Sequence, residues 1–242
     1  NGADQEGIVR TQVTIANGRR MSAAYAYLDP IAGRANLSVQ TGAAAERLTF
    51  DGKRCTGVTY RVGGQSRTAE ARGEVILCGG AINSPQLLEL SGIGRPEVLA
   101  EHGIEVRHEL AGVGENLRDH VAPRMVYNVT PSDLSFNKKG NGLGIVGQVI
   151  RYALLRNGLL SLPTAPVIGF IKTRPELETP DVQYHFVPYR VVLKNGKRSM
   201  GKEPAITVTV NQCRPESVGS VHLRSDKPGA APAIRFNFLS AE

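Results

Sequence analysis

The chain has 242 residues, of which 41% are hydrophobic, and carries a formal net charge of +7. A chain of this length buries one large core or two modest ones, and its apolar share excludes a disordered protein. No apolar run is long enough to cross a bilayer, and the positive charges are scattered except in KNGKR at 194–198, so we expect neither a membrane span nor a nucleic-acid partner.

The cysteines and the first residues bear on the compartment. Cys55, Cys78 and Cys213 are an odd number without CxxC spacing, which predicts buried thiols and neither a disulfide framework nor a metal site. The first residues, NGADQEGIVR, lack both an initial Met and the apolar core of a signal peptide. We therefore expect an excerpt of a longer, cytoplasmic protein.

Residues 11–43 predict a strand, a helix and a second strand. TQVTIANG alternates apolar and polar residues before an Asn17-Gly18 turn, which is typical of a strand and its hairpin turn. In MSAAYAYLDP, Ser22 is a suitable N-cap and Pro30 a stop, so a short helix is predicted between them. ANLSVQTGA at 35–43 is the second predicted strand.

A hairpin and an interior strand are predicted next. RCTGVTYRV and SRTAEARGEVILCGG flank Gly63-Gly64, which is the pattern of a hairpin. Glu74–Cys78 ends this stretch and lacks polar alternation, so we predict a strand buried on both faces of a layered α/β sheet. Such sheets bind ligands at the carboxyl ends of their strands, where Gly79 and Gly80 follow.

Helix start and stop signals follow the glycines. Ser84 is a suitable N-cap, Pro85 suits a first turn and Gly92 suits the residue after a helix, so the sequence predicts a helix of roughly two turns. Pro96 and Gly103 bracket a second short helix in the same way.

Beyond His120 the pattern becomes that of an antiparallel sheet. Six short alternating segments predict its strands, and GLGIVGQVIRYALLRNG at 142–158 predicts one helix that covers it. The segments are PRMVYNVT, PVIGFIKT, DVQYHFVP, AITVTVNQ, SVHLRS and AIRFNF. The predicted fold class is therefore α/β, or α+β overall: part of a layered α/β domain together with an antiparallel sheet of about six strands.

The stretch GAINSPQLLELSGIG at 80–94 resembles the second signature of the glucose-methanol-choline (GMC) flavoprotein oxidoreductases. It matches at Gly80, Ala81, Ser84, Pro85, Leu87, Leu88, Ser91, Gly92, Ile93 and Gly94. Flanking segments resemble the same family in order and spacing: NGADQEG, NGRRMSAAYAYL, RANLSVQTGA, GVGENLRDH, PDVQYHFVPY and RPESVGSVHLRSDKPGAAPAI. The resemblance covers nearly the whole chain and is strongest to the choline-dehydrogenase-like bacterial branch.

The resemblance implies an FAD-dependent alcohol dehydrogenase or oxidase, in which a hydride passes from the alcohol carbon to flavin N5. Gly79 and Gly80 would then let the dinucleotide approach bare backbone. Ala45 stands where relatives have a Val whose main chain contacts the adenine, so we expect Ala45, Gly79 and Gly80 to line the adenosine half of FAD. Gly92 and Gly94 are interpreted as turn glycines.

Some residues of the resemblance receive no chemical role. Asn116, Asp119 and His120 match a family stretch, yet loop residues of these types more often satisfy backbone groups. GLGIVG at 142–147 imitates the phosphate-binding GxGxxG spacing, but no apolar strand leads into it, so we reject it. The family's own GxGxxG and its segment with the catalytic His are missing, so no catalytic residue is predicted and the chain alone is expected to be inactive.

Domain boundaries and a substrate class also follow from the resemblance. Residues 1–34 and 121–242 are assigned to a substrate domain and 35–120 to a partial FAD domain. In the family, the sheet segment DVQYHFVPY forms the far wall of the substrate pocket, and its alternation places Gln183 and His185 on one face.

The expected partner is a small-molecule alcohol. Choline-using relatives tend to have a carboxylate where this chain has Pro166, so we expect an uncharged primary alcohol. Choline dehydrogenase proper and an inactive truncation that serves as a binding module stay as alternatives. The resemblance leaves open the electron acceptor, the flavin attachment and the oligomer.

Overall fold

The computed structural model describes residues 4–130 and 132–241, which form two compact units. The sheet unit consists of the described residues of Asn1–Leu37 and His120–Arg214. The meander unit consists of Ser38–Asp119 and the described residues of Pro215–Glu242. The predicted boundary is corrected at one point, because the residues after Arg214 belong with the meander unit. Their backbone bonds explain this: Leu117 and Gly219 bond each other in both directions, at 3.0 and 2.8 Å.

The strands are β1 Gly7–Arg10, β2 Ile15–Ala16, β3 Arg19–Arg20, β4 Ala44–Asp51, β5 Arg54–Val62, β6 Gln65–Glu70, β7 Ile93–Gly94, β8 His108–Glu109, β9 Arg124–Asn128, β10 Val167–Ile171, β11 Val182–Val187, β12 Val191–Lys194, β13 Lys197–Met200, β14 Ala205–Gln212, β15 Ser220–His222 and β16 Ala233–Arg235. The α-helices are α1 Gly80–Leu90, α2 Pro96–Glu101 and α3 Gly142–Leu155. Short helical turns lie at Ala24–Leu28, Asp29–Ile31, Ser132–Leu134 and Leu159–Ser161.

The sheet unit is built on a five-stranded antiparallel sheet in the order β1-β10-β11-β14-β9. Four of the six segments predicted for it are present, and β1 supplies the fifth strand. The remaining two segments form β15 and β16, which pair only with each other and lie in the meander unit. Val187, Ala205 and Val208 are buried, so the core of this unit lies along β11 and β14.

The prediction that one helix covers the sheet is wrong for the described residues. Helix α3 forms at the predicted position, but none of its residues is buried, and Leu143 is 91% exposed. Hydrogen bonds fix its ends instead. Asn141 donates from Nδ2 to the Gly201 carbonyl at 2.9 Å, and Gln148 Oε1 accepts from the Leu159 amide at 3.0 Å.

The meander unit contains a three-stranded antiparallel sheet, β4-β5-β6. The predicted hairpin at Gly63-Gly64 is confirmed, with φ values of 58° and 80° that favour glycine. The Asn17-Gly18 turn of the sheet unit is confirmed by φ values of 50° and 67°. In both cases a two-residue loop encodes its own geometry.

The predicted strands at 35–43 and Glu74–Cys78 are wrong. Neither segment pairs with a strand among the described residues. Their residue types favour an extended backbone, but no neighbouring strand supplies the backbone hydrogen bonds that a sheet requires. Ile76 is consequently 75% exposed, the opposite of an interior strand position. The prediction of buried thiols is also wrong, because Cys78 is exposed and Cys55 and Cys213 are only half-buried.

The predicted start of the signature helix also requires correction. Helix α1 begins at Gly80, so Ser84 is not its N-cap and Pro85 lies inside it. The predicted end is confirmed, because Gly92 follows with a φ of 82° and its amide bonds the Glu89 carbonyl at 2.9 Å.

Candidate functional site

A cleft of about 520 Å³ opens in the meander unit between β4, the 75–79 segment and α1. Ala45 and Gly79, both predicted from the sequence, line it together. Gly80 follows directly but is not among the lining residues. The cleft volume lies within the range of small-molecule and cofactor sites.

Ala45 lies at an irregularity that the sequence did not reveal. On β5, Ala45 pairs with Tyr60 and Arg47 pairs with Thr59, so Glu46 is an additional residue in β4. This β-bulge interrupts the ladder and leaves main-chain groups beside Ala45 unpaired with β5. A contact made through the main chain of Ala45 is therefore geometrically reasonable.

The two glycines are required for different reasons. A Cβ at Gly79 would lie 3.1 Å from both the Cβ of Asn83 and the amide nitrogen of Ser84, so the first turn of α1 would be crowded by one. Gly80 has open space around it but a φ of 74°, which side chains adopt only with strain. Bare backbone at Gly79 and apolar walls that include Val58 and Leu87 fit the adenosine half of FAD.

A buried polar junction lies in the same unit and was missed by the sequence analysis. Glu89 on α1 is fully buried, and its Oε1 lies 2.7 Å from His222 Nδ1. Its Oε2 accepts from the Leu223 amide at 2.9 Å. His222 Nε2 lies 3.2 Å from Glu115 Oε1, which Arg95 also approaches at 2.8 Å. The hydrogen bond from Arg95 lowers the pKa of Glu115.

Three glycines after α1 lie where a side chain would meet neighbouring residues, and Gly94 and Gly114 lie against this junction. A Cβ at Gly94 would lie 3.2 Å from the Cγ of Glu89, and one at Gly92 would lie 2.5 Å from the Glu105 carbonyl oxygen. Gly114 has a φ of 78°, and a Cβ there would lie 2.6 Å from His222 Nδ1. These contacts support the interpretation that Gly92 and Gly94 serve the fold.

In the sheet unit, Gln183 and His185 share one face of β11, as alternation requires. Both are half-buried and lie in a polar cluster with Asn211 and His120. Asn211 Nδ2 lies 3.5 Å from Gln183 Oε1 and 3.4 Å from His120 Nδ1. Burial, followed by the charge of His120, lowers the pKa of His185, so its imidazole is favoured in the neutral form.

The same sheet face continues into a second cleft of about 260 Å³, lined by Val187, Thr209 and Arg124 among others. Arg124 could not be singled out from the sequence, since it is one of many arginines and its place in the cleft depends on strand register. Within the described ranges, no group of three or more side chains is arranged to hold a metal ion. No described helix combines the length and apolar character that a membrane span requires.

Comparison with known proteins identifies the family of this chain. Residues 1–122 match the description "GMC oxidoreductase". The chain is 39% identical to an oxygen-dependent choline dehydrogenase of Chromohalobacter salexigens, over 100% of this chain and 43% of that protein. It is also 39% identical to an uncharacterized GMC-type oxidoreductase of Mycobacterium tuberculosis, over 99% of this chain and 44% of that protein.

A solved structure agrees with this relationship. A variant of the Aspergillus oryzae formate oxidase, a protein in which FAD is modified, superposes with a TM-score of 0.86 at 25% identity. The match covers 97% of this chain and 45% of that one. The chain thus spans less than half the length of these relatives. It belongs to the GMC oxidoreductase family, whose members are FAD-dependent enzymes that act on alcohol groups.

Proposed function

We propose that this chain forms the central part of an FAD-dependent oxidoreductase that removes a hydride from an uncharged primary alcohol. One observation carries the proposal: the bulged main chain at Ala45 and the bare backbone at Gly79 line one cleft at the start of the signature helix. That combination suits a flat adenosine group held by backbone contacts and apolar walls.

The cofactor role is assigned to Ala45, Gly79 and Gly80. Ala45 offers main-chain groups, Gly79 allows close approach, and Gly80 supplies the positive φ that turns the chain into α1. Bound FAD would accept the hydride that leaves the alcohol carbon. The meander unit is accordingly assigned to the cofactor and the sheet unit to the substrate.

The substrate role is assigned to Gln183 and His185. A neutral imidazole and an amide can bind a hydroxyl group without imposing a charge. None of the described residues that line the adjacent cleft is acidic, and Arg124 brings a positive charge. Although relatives are named choline dehydrogenases, a quaternary ammonium group favours carboxylates or aromatic cages, so this face supports an uncharged alcohol.

Two further proposals concern the chain as a whole. We infer that residues 1–242 alone turn over no substrate, because Glu74–Cys78 lacks a ladder partner among the described residues and Ile76 is largely exposed. We also propose a cytoplasmic location, which the three free cysteines support since thiols stay reduced there.

The test uses the full-length gene product. Its visible spectrum should show bound flavin, and primary alcohols should bleach the flavin bands under anaerobic conditions. Gly79→Val should reduce the flavin content, because the new side chain crowds Asn83 and Ser84. Gly147→Ala is the matched control, since nothing lies within 4 Å of a Cβ there. A full-length protein that contains no flavin, or flavin that no alcohol reduces, would contradict the proposal.

A further inference from the structure

Three residues on neighbouring strands form one row across the sheet unit. His185 on β11 pairs with Thr209 on β14, and Thr209 pairs with Arg124 on β9. Directly paired residues on antiparallel strands point to the same face of the sheet. Because neighbouring strands lie about 4.8 Å apart, the backbone positions of His185 and Arg124 are separated by roughly 10 Å.

Arg124 is the only charged residue among those that line the 260 Å³ cleft, within the part of the chain that the structure describes. Its side chain makes no hydrogen bond or ion pair with any described residue. The walls beside it are largely apolar and include Val187, Val191 and Met200. The guanidinium group therefore offers hydrogen-bond donors that no protein group in the described ranges accepts.

Neutral hydroxyl groups also line this cleft, on Thr164, Tyr189, Ser199, Thr207 and Thr209, so Arg124 is distinguished from them by its charge. Thr207 is 1% exposed, and its hydroxyl already donates to the Tyr189 carbonyl at 2.8 Å. Thr209 lies between His185 and Arg124 in the row, where its short side chain leaves a gap between the two longer ones. The face thus presents the neutral imidazole of His185 and the cationic guanidinium group of Arg124 at a fixed separation, with neutral hydroxyl groups beside them.

We propose that Arg124 determines specificity by binding an oxygen acceptor at the end of the substrate remote from the hydroxyl that reacts near His185. This inference rests on the proposed function. The ligand is an alcohol whose far end carries an ether, carbonyl, hydroxyl or carboxylate oxygen. A cationic far end, as in choline, is disfavoured because the guanidinium repels it.

Two consequences of this geometry are measurable. A hydrogen bond to a charged donor that is otherwise unpaired favours the oxygenated substrate over its hydrocarbon analogue by about tenfold or more. Since both groups stand on one sheet, a homologous series of oxygenated alcohols should show an optimum length. The corresponding alkanols should show no such dependence on Arg124.

The experiment compares kcat/KM of the full-length protein, loaded with FAD, for ω-methoxy primary alcohols and alkanols of equal length. Arg124→Met should remove the preference, because it replaces the guanidinium group with an apolar side chain of similar reach. Arg124→Lys should keep part of the preference. Arg174→Met is the matched control, since Arg174 is 68% exposed and 3.9 Å from its nearest carboxylate.

ω-Hydroxycarboxylates and choline complete the series. A larger preference for the carboxylates that is lost in Arg124→Met supports the inference and identifies an anionic acceptor. Equal kcat/KM for ω-methoxy alcohols and alkanols, or a preference that survives Arg124→Met, overturns it.

Calorimetric binding of the ω-methoxy alcohols separates this inference from the proposed function. Binding that depends on Arg124 without flavin reduction would refute the proposed function and support the specificity role. Flavin reduction by alkanols, with equal binding of the ω-methoxy alcohols to the unaltered protein and to the Arg124 variants, would support the proposed function and refute the specificity role.

Discussion

Removing the carboxylate of Glu89 should destabilise the meander unit more than any surface substitution near it. The side chain is fully buried and makes two charge-assisted hydrogen bonds, at 2.7 Å to His222 Nδ1 and 2.9 Å from the Leu223 amide. At about 1.5–3 kcal/mol each, they amount to about 3–6 kcal/mol. Breaking a buried pair by removing one partner costs about 3–5 kcal/mol, which agrees.

A double-mutant cycle tests whether Glu89 and His222 act as a pair. Glu89→Ala and His222→Ala each leave a buried or half-buried partner uncompensated, so the double variant should lose less than the sum of the single losses. The coupling free energy should be about 1.5–3 kcal/mol, at the upper end for contacting residues.

The assay is hydrogen exchange of the full-length protein, followed by mass spectrometry. Since the chain contains two units, peptides that cover 81–91 and 219–224 report local opening better than one global transition does. Glu97→Ala is the control, because Glu97 is 76% exposed and 3.9 Å from Arg95, and it should leave exchange in both peptides unchanged. Additive effects of Glu89→Ala and His222→Ala would refute the reasoning.

Three other outcomes follow from titration and exposure. The hydrogen bond from Arg95 lowers the pKa of Glu115, so the ionised carboxylate stabilises the fold above pH 4.5, and this stability is lost as the pH falls below that value. In Glu115→Gln, the melting temperature should therefore fall less steeply as the pH is lowered. The pKa of His185 is lowered, so the neutral imidazole contributes to the free energy of unfolding above pH 6.5, and this contribution is lost as the pH falls. In His185→Gln, the melting temperature should depend less on pH in this range, and an unchanged dependence would contradict the prediction. Cys78 is exposed and lines the cleft that we propose for the cofactor, so iodoacetamide should label it rapidly in the apoprotein and slowly after FAD is added. Burial raises the pKa of Cys213, so its labelling should be slow and insensitive to FAD.

The elements that could be predicted from the sequence are those whose determinants are local. Asn17-Gly18 and Gly63-Gly64 supply the positive φ values of their turns, and Gly92 supplies the one that ends α1. Glu74–Cys78 fails for the complementary reason. An extended segment becomes a strand only when a neighbour accepts and donates its backbone hydrogen bonds, and no described residue does so.

The residues of the candidate site also differ in whether local sequence could predict them. Ala45 and Gly79 were predicted because each lies in a short segment that resembles the family, and the structure brings them to one cleft. Arg124 and Glu89 were missed because their partners are remote. His222 lies 133 positions from Glu89, and Arg124 meets Thr209 only through the register of β9 on β14. No local pattern encodes such a register, which depends on long-range pairing.

The bulge in β4 makes the residue next to Ala45 more important for the local backbone than Ala45 itself. Glu46, the additional residue, is 8% exposed and accepts from Arg61 Nε at 2.6 Å and from Ser66 Oγ at 2.9 Å. The side chain at Ala45 can therefore vary among relatives without changing the main chain that lines the cleft. Glu46 cannot vary in this way, since losing its two bonds would free the bulge to slip back into register. A family comparison that scores only Ala45 would overlook Glu46, whose hydrogen bonds hold the bulge in place.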